Sequence, residues 1–189
     1  EHQGIDLRFG GVSHRIDFQN LVGASCWLYP QTDVFIDLHA ARTRDGGDLR
    51  YGISEAAVTD HRDEPHVTYT DADRRRHEIT AELVVGADGS RSICRDLVAD
   101  PQRYFREYPF AWFGILAEAP QSAPELIYTR SPHGFALISQ RTPTVQRMYF
   151  QCDPTENPAD WSDDRIWAEL QRRLAGSDGF ALKEGPIIQ

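Results

Sequence analysis

Cysteine is scarce in this sequence: only Cys26, Cys94 and Cys152 occur among 189 residues, and no two of them form a CxxC pair. An odd number of widely spaced cysteines excludes a disulfide framework and a cysteine-based zinc site, and it predicts reduced thiols in a cytoplasmic protein. None of the seven histidines belongs to an HExxH motif or has the spacing of a metal ligand. We therefore expect no metal site.

Long apolar runs are also missing, because runs such as residues 135–138 and 83–85 are far shorter than the roughly 20 residues of a membrane span. The sequence opens at Glu1 with neither Met nor an apolar signal segment, so we expect no secretory signal and an incomplete gene product. Acidic residues outnumber basic ones by 29 to 20, and the net charge of −9 repels a phosphate backbone. Membranes and nucleic acids are not expected as partners.

Hydrophobic residues make up 40% of the chain, which is enough for a core, and their periodicity predicts a mixed α/β fold. Alternating apolar and polar residues around Gly10-Gly11 predict a β-hairpin. Helical spacing predicts one helix over residues 32–44, capped by Thr32, and another that starts at Ser162 and stops at Gly176. The remaining predicted elements are a small meander over residues 51–82, a buried strand over 83–85 and an antiparallel sheet over 110–151.

A glycine-rich loop, Gly86-Ala87-Asp88-Gly89, follows the predicted buried strand and precedes Arg91 and Arg95. At the end of a strand, glycines let the backbone approach a cofactor, a carboxylate accepts from ribose or ribityl hydroxyls, and arginines bind phosphate. The sequence contains no GxGxxG, Walker or GxSxG motif, so a full dinucleotide site is not encoded. The loop is equally compatible with an ordinary turn, because Asp-Gly is among the commonest turn dipeptides.

Polar residues alternate along two neighbouring predicted strands. Ser139 and Arg141 project from one face of the first strand, as Arg147 and Tyr149 do on the next. This pattern suits a small aromatic acid, because an arginine fork pairs with a carboxylate and hydroxyls complete the anion site. A solvated polar face on a half-exposed sheet would show the same pattern.

Several strings of residues resemble the single-component flavoprotein aromatic hydroxylases, in the branch that acts on 4-hydroxybenzoate. The strings are Tyr108-Pro109-Phe110-Ala111-Trp112-Phe113-Gly114, Glu125-Leu126-Ile127-Tyr128, Gly134-Phe135-Ala136-Leu137-Ile138-Ser139-Gln140-Arg141 and Asp160-Trp161-Ser162-Asp163. The loop around Asp88 is similar to the wider family's second nucleotide motif, shared between FAD and NADPH. One combination is specific to the 4-hydroxybenzoate branch, namely Ser139-Gln140-Arg141 together with Tyr128 and Tyr149. The resemblance covers essentially the whole chain.

The resemblance implies roles for individual residues. Arg141 resembles the arginine that pairs with the substrate carboxylate, and Ser139 and Tyr149 resemble the hydroxyls beside it. Tyr128 resembles the tyrosine that hydrogen-bonds the substrate 4-hydroxyl and helps to remove its proton. The implied cofactor-binding positions are Gln31 and Asp88 as FAD contacts, Gly89 in the same loop, Arg147 near the flavin, Arg95 on the NADPH side, and Arg91, which replaces a family histidine near NADPH.

Three features of the family lie outside the matched positions: the GxGxxG unit, the second Gly-Asp motif and the second tyrosine of the proton relay. The resemblance therefore implies an internal piece of the enzyme. The implied organisation is the first strands of a substrate lobe over residues 1–28, a middle piece of a Rossmann-like FAD-binding lobe over 29–99, and a mainly antiparallel substrate-binding sheet with a helix over 100–189.

The implied activity is FAD-dependent hydroxylation of 4-hydroxybenzoate to 3,4-dihydroxybenzoate. It uses O2 and NADPH or NADH as co-substrates, and a homodimer is expected for the full enzyme. Two alternatives remain at this point. The chain could act on another hydroxybenzoate or aminobenzoate, or it could be a non-catalytic fragment that binds a small ligand.

Overall fold

A computed structural model describes the whole chain, Glu1–Gln189, and confirms the mixed α/β class. The strands are β1 Gly4–Phe9, β2 Val12–Asp17, β3 Ser54–Thr59, β4 His66–Thr70, β5 Arg76–Thr80, β6 Ala111–Glu118, β7 Leu126–Ser131, β8 Gly134–Thr142 and β9 Val145–Cys152. The α-helices are α1 Phe18–Val22, α2 Gln31–Arg44 and α3 Asp163–Leu174. Short 3₁₀ turns cover Gly89–Arg91, Arg95–Leu97 and Pro158–Asp160.

Six strands form one sheet in the order β2-β1-β7-β8-β9-β6. The hairpin β1/β2 and the antiparallel run β7/β8/β9/β6 confirm the sequence prediction. The strands β1 and β7 pair in parallel, which joins the hairpin to the rest of the sheet. This pairing links residues about 120 positions apart and has no local signature in the sequence.

One face of this sheet carries the hydrophobic core. The apolar side chains of α3, among them Ile166, Leu170 and Leu174, pack against the side chains of Ile138 and Met148. The Ser162 hydroxyl accepts from the Arg165 amide at 3.3 Å, so Ser162 caps α3 as predicted. Because side chains alternate along each strand, burial of one face leaves the opposite face available for a ligand.

A buried arginine connects β1 to the segment after α3. The Arg8 guanidinium donates to both carboxylate oxygens of Asp178, at 2.7 and 2.8 Å, and to the Leu174 carbonyl at 3.0 Å. It also lies 4.7 Å from the centroid of the Phe180 ring. The fork geometry and the low exposure of Arg8 make this pair stronger than an ordinary surface ion pair.

The ion pair predicts a dependence of stability on acid pH. The hydrogen bond from Arg8, followed by one from the Phe180 amide, lowers the pKa of Asp178 to about 2. A depressed pKa in the folded state stabilises the protein above the unfolded-state pKa, and this contribution is lost as the pH falls through the folded-state value. Between about pH 4 and pH 2, wild type should lose urea resistance faster than Asp178→Asn. If the urea midpoints of wild type and Asp178→Asn fell in parallel over this pH range, the stabilising role of ionised Asp178 would be wrong.

The three strands β3, β4 and β5 form the predicted antiparallel meander, and α2 is the predicted helix. Thr32 does not cap it, because α2 begins at Gln31 and the Pro30 carbonyl accepts from the amides of Asp33 and Val34. No side chain of α2 is buried.

The predicted buried strand over residues 83–85 is wrong. This segment has no strand structure, and Leu83 and Val85 are each 76% exposed. An apolar run of this kind becomes a strand only beside other strands of a covered parallel sheet, and no strand of this chain pairs with it.

The chain divides into two compact units. The first comprises Glu1–Val34 and Glu107–Gln189, and the second comprises Phe35–Arg106. The predicted boundaries were at residues 28/29 and 99/100, and the equation of these units with a substrate lobe and an FAD lobe stays a prediction. None of the helices has the length and apolar character needed to cross a membrane.

Candidate functional site

The outer face of the six-stranded sheet, opposite α3, carries a row of aligned residues. Tyr128 on β7 lies opposite Leu137 on β8, Leu137 lies opposite Tyr149 on β9, and Tyr149 lies opposite Gly114 on β6. Directly paired residues share a face, so both tyrosines project from the same side. They are two strands apart, which corresponds to about 10 Å.

A groove of about 280 Å³ lies on this face in the first unit. It brings together four residues that the sequence singled out, Gln31, Arg141, Arg147 and Tyr149. The remaining lining residues are Pro30, Thr32, Gly114, Ile115, Leu116 and Gln189. A smaller adjoining hollow is lined by Ser139 together with the same two arginines.

The groove is electropositive on a chain whose net charge is −9. Its lining contains two arginines and no acidic side chain. Arg141 is half-buried, and its guanidinium forms neither a hydrogen bond nor an ion pair. The Arg147 guanidinium lies 5.5 Å from the Tyr149 ring centroid. Half-buried guanidinium groups without a carboxylate partner favour an anionic ligand.

Ser139 is buried, and its hydroxyl donates to the Arg147 carbonyl at 3.0 Å. In this arrangement the Ser139 oxygen presents only lone pairs to a ligand. Donation to a substrate carboxylate, as the resemblance implies, requires the hydroxyl to rotate away from the Arg147 carbonyl.

Tyr128 stands beside an aromatic wall on the same face. Its ring centroid lies 6.0 Å from that of Phe135, and the Phe135 ring in turn meets the Trp112 ring edge-on at 5.5 Å. The Tyr128 side chain is half-buried, and its hydroxyl has no hydrogen-bond partner within the chain. The hydroxyl is therefore available to a ligand, although Tyr128 does not line the groove itself.

A second cavity, of about 630 Å³, lies in the second unit and is lined in part by the glycine-rich loop. Asp88, Gly89 and Arg95 contribute to it, whereas Arg91 is exposed on a 3₁₀ turn and does not. Gly86 lies so close to Cys94 that a Cβ there would stand 2.5 Å from the Cys94 Cβ. A glycine is required at this point of the loop because any side chain would displace Cys94.

The Asp88 carboxylate organises its own loop. It accepts from the Ser92 hydroxyl at 2.6 Å, the Ile93 amide at 2.7 Å and the Cys94 amide at 3.3 Å. These hydrogen bonds, above all that from Ser92, lower the pKa of Asp88 to about 2. A carboxylate has about four lone-pair positions, so one remains for a ribose or ribityl hydroxyl.

The residues of this cavity fit part of FAD. The guanidinium groups of Arg62 and Arg95 have no carboxylate partner in the chain, and Gly89 has open space where a side chain would be. Arginines beside a glycine loop suit phosphate groups. No motif in the sequence points to His61 and Arg62, which lie in a turn between β3 and β4. Nothing in the sequence marks Gly114 as a site residue either, because its position in the groove depends on the pairing of β6 with β9.

Comparison with known proteins relates the whole chain to flavoproteins. The sequence profile of the FAD binding domain family matches residues 1–189. p-Hydroxybenzoate hydroxylase of Acinetobacter baylyi (strain ATCC 33305 / BD413 / ADP1) is 35% identical over 191 aligned residues, which cover 100% of this chain and 47% of that protein. The chain thus spans about half the length of this curated relative.

Two solved structures share the fold. A flavoprotein/dehydrogenase from Cytophaga hutchinsonii superposes with a TM-score of 0.66 at 13% identity, covering 97% of this chain and 48% of that one. The flavin-dependent monooxygenase PieE, in complex with FAD and substrate, superposes with a TM-score of 0.66 at 16% identity, covering 100% of this chain and 36% of that one. At these identities the similarity establishes the fold alone.

Proposed function

Since this chain belongs to the FAD binding domain family, we propose that it forms part of an FAD-dependent monooxygenase that hydroxylates 4-hydroxybenzoate to 3,4-dihydroxybenzoate. The co-substrates are O2 and NADPH or NADH. The choice of substrate rests on two groups that lie on the same face of the sheet. One is Arg141, which is half-buried and unpaired, and the other is the free hydroxyl of Tyr128. The two groups match the two polar ends of a 4-hydroxylated aromatic acid.

Arg141 binds the substrate carboxylate in this proposal. Its planar fork forms two parallel hydrogen bonds with a carboxylate, which fixes the direction of the ring as well as its position. Tyr149, on the adjacent strand in the same groove, adds a hydroxyl donor. Orientation matters because one ring carbon, ortho to the phenol, must face the oxidant.

Tyr128 takes or relays the proton of the substrate 4-hydroxyl. A phenolate ring is a better nucleophile than a phenol, so removal of this proton raises the reactivity of the ortho carbon. When bound, FAD would supply the redox chemistry: electrons from the nicotinamide would activate O2, one oxygen atom would enter the ring and the other would leave as water. Within the first unit, Gln31 and Arg147 are the residues that would contact FAD. Within the second unit, Asp88 and Gly89 are the candidate FAD contacts and Arg95 is a candidate contact of the nicotinamide co-substrate.

The test is a substrate-binding difference spectrum of the complete, FAD-loaded enzyme that contains this chain, followed by identification of the product. We expect 4-hydroxybenzoate to perturb the flavin spectrum and to yield 3,4-dihydroxybenzoate. A stronger response to 4-aminobenzoate or to another hydroxybenzoate would move the assignment to a related hydroxylase. No response to any aromatic acid would refute the proposal.

The absence of a GxGxxG motif from this sequence favours a second candidate for the 189-residue chain alone, a fragment that binds a small ligand without catalysis. That motif places the pyrophosphate at a helix N-terminus. We therefore expect the isolated chain to bind FAD weakly and to oxidise NADPH no faster than free flavin does. Stoichiometric yellow FAD after gel filtration would contradict this expectation.

A further inference from the structure

Gly114 lies on β6, the edge strand of the six-stranded sheet, directly opposite Tyr149. A Cβ placed on Gly114 would stand 3.0 Å from Cε1, 3.4 Å from Cδ1 and 4.0 Å from Cζ of Tyr149. Favourable carbon–carbon contact begins at about 3.5 Å. The Tyr149 ring therefore lies over the glycine and occupies the space of the missing side chain.

The backbone does not require glycine at this position. Gly114 is not among the glycines with a left-handed φ, so any L-residue could adopt its conformation. Glycine is unfavourable within a strand because it has a high conformational entropy when unfolded and offers no side chain for packing. An aromatic ring from the neighbouring strand that covers a glycine recovers part of this loss. The contact with Tyr149 is thus the reason in this structure for a glycine at 114.

We propose that Gly114 is a positioning residue for the aromatic acid site, because the absence of its side chain determines where the Tyr149 ring stands in the groove. Both residues line the groove that contains Arg141, and the Tyr149 ring lies between Gly114 and Leu137 in the cross-strand row. A methyl group at 114 pushes the ring toward Leu137, and the Tyr149 hydroxyl moves relative to the guanidinium groups. This inference rests on the proposed function, since it assigns Tyr149 to the anion site.

The test combines Gly114→Ala with a background in which the ring is absent. In the complete, FAD-loaded enzyme, Gly114→Ala should weaken 4-hydroxybenzoate binding about tenfold, the effect of one methylene in a fitted pocket. In a Tyr149→Ala background the same change should have almost no effect, because the added methyl group then has space. A double-mutant cycle of dissociation constants measures this difference.

A ligand-independent measurement accompanies the cycle. In protein labelled with 3-fluorotyrosine, the ¹⁹F signal that disappears in Tyr149→Phe is assigned to Tyr149, one of seven tyrosines. We expect Gly114→Ala to shift this signal and to leave the other six in place. If Gly114→Ala does not fold, the contact explanation is that its methyl group clashes with the Tyr149 ring. In that case the double variant Gly114→Ala/Tyr149→Ala, which lacks the ring, should fold again. An unfolded double variant would overturn the inference.

The outcomes separate the two proposals. If wild type does not bind 4-hydroxybenzoate, the proposed function fails, and the inference that rests on it fails too. If wild type binds but Gly114→Ala binds equally well, or the Tyr149 signal does not move, only the role of Gly114 is refuted. Equal weakening by Gly114→Ala in the wild-type and the Tyr149→Ala backgrounds would also refute it, because the effect would not pass through the ring.

Discussion

Replacement of Tyr128 by Phe should lower the hydroxylation rate of the FAD-loaded enzyme roughly 10²–10⁴-fold, the usual scale for a lost acid–base contact. Binding of 4-hydroxybenzoate should change little. The substitution removes one oxygen that makes no hydrogen bond within the chain, and it preserves the ring that packs against Phe135. The folded state therefore loses no interaction, and the loss falls on the chemical step.

Two measurements check this prediction. The ultraviolet shift of bound substrate reports phenolate formation, and the product formed per NADPH consumed reports coupling of oxidation to hydroxylation. Tyr149→Phe is the matched control, because it removes a hydroxyl from the same row of the sheet but at the carboxylate end. It should weaken binding and leave ionisation of bound substrate intact. If Tyr128→Phe still ionises the substrate and couples normally, the catalytic role of Tyr128 is wrong.

Replacement of Arg141 by Lys should weaken binding of 4-hydroxybenzoate by about 2–5 kcal/mol, the cost of leaving a buried carboxylate half-paired. This corresponds to a dissociation constant raised from about 30-fold to several thousand-fold. Lysine keeps the positive charge but cannot form two parallel hydrogen bonds. Arg141 makes no hydrogen bond or ion pair in the chain, so the folded protein should retain its stability.

Arg130→Lys is the control for this charge-conserving change. Arg130 lies on β7, beside the strand of Arg141, but it is exposed and does not line the groove. Equilibrium titration should show an unchanged dissociation constant for Arg130→Lys, and NADPH binding should be unchanged in both variants. Equal effects of the two substitutions would remove Arg141 from the carboxylate site.

Local pattern in the sequence was enough to predict much of this fold. Alternation of period two predicted the β1/β2 hairpin, and aromatic, β-prone segments between Pro- and Gly-bearing turns predicted the antiparallel run β7/β8/β9 with β6. The apolar stripe that starts after Ser162 predicted α3. These features depend on neighbours a few residues apart. The same alternation predicted that Arg141, Arg147 and Tyr149 share a face, and the structure places them in one groove. Their roles toward a substrate stay predictions.

The features that only the tertiary structure decided are contacts between residues distant in sequence. The parallel pairing of β1 with β7 and the fork between Arg8 and Asp178 join segments that no local period connects. The predicted strand at 83–85 failed for the related reason that a strand forms only where another strand accepts its hydrogen bonds. The position of Gly114 under Tyr149 follows from the register of β6 on β9. Register is set by which side chains must share the buried face and by the geometry of the turns. The sequence by itself therefore determined the elements and their faces, whereas long-range packing decided which side chains meet.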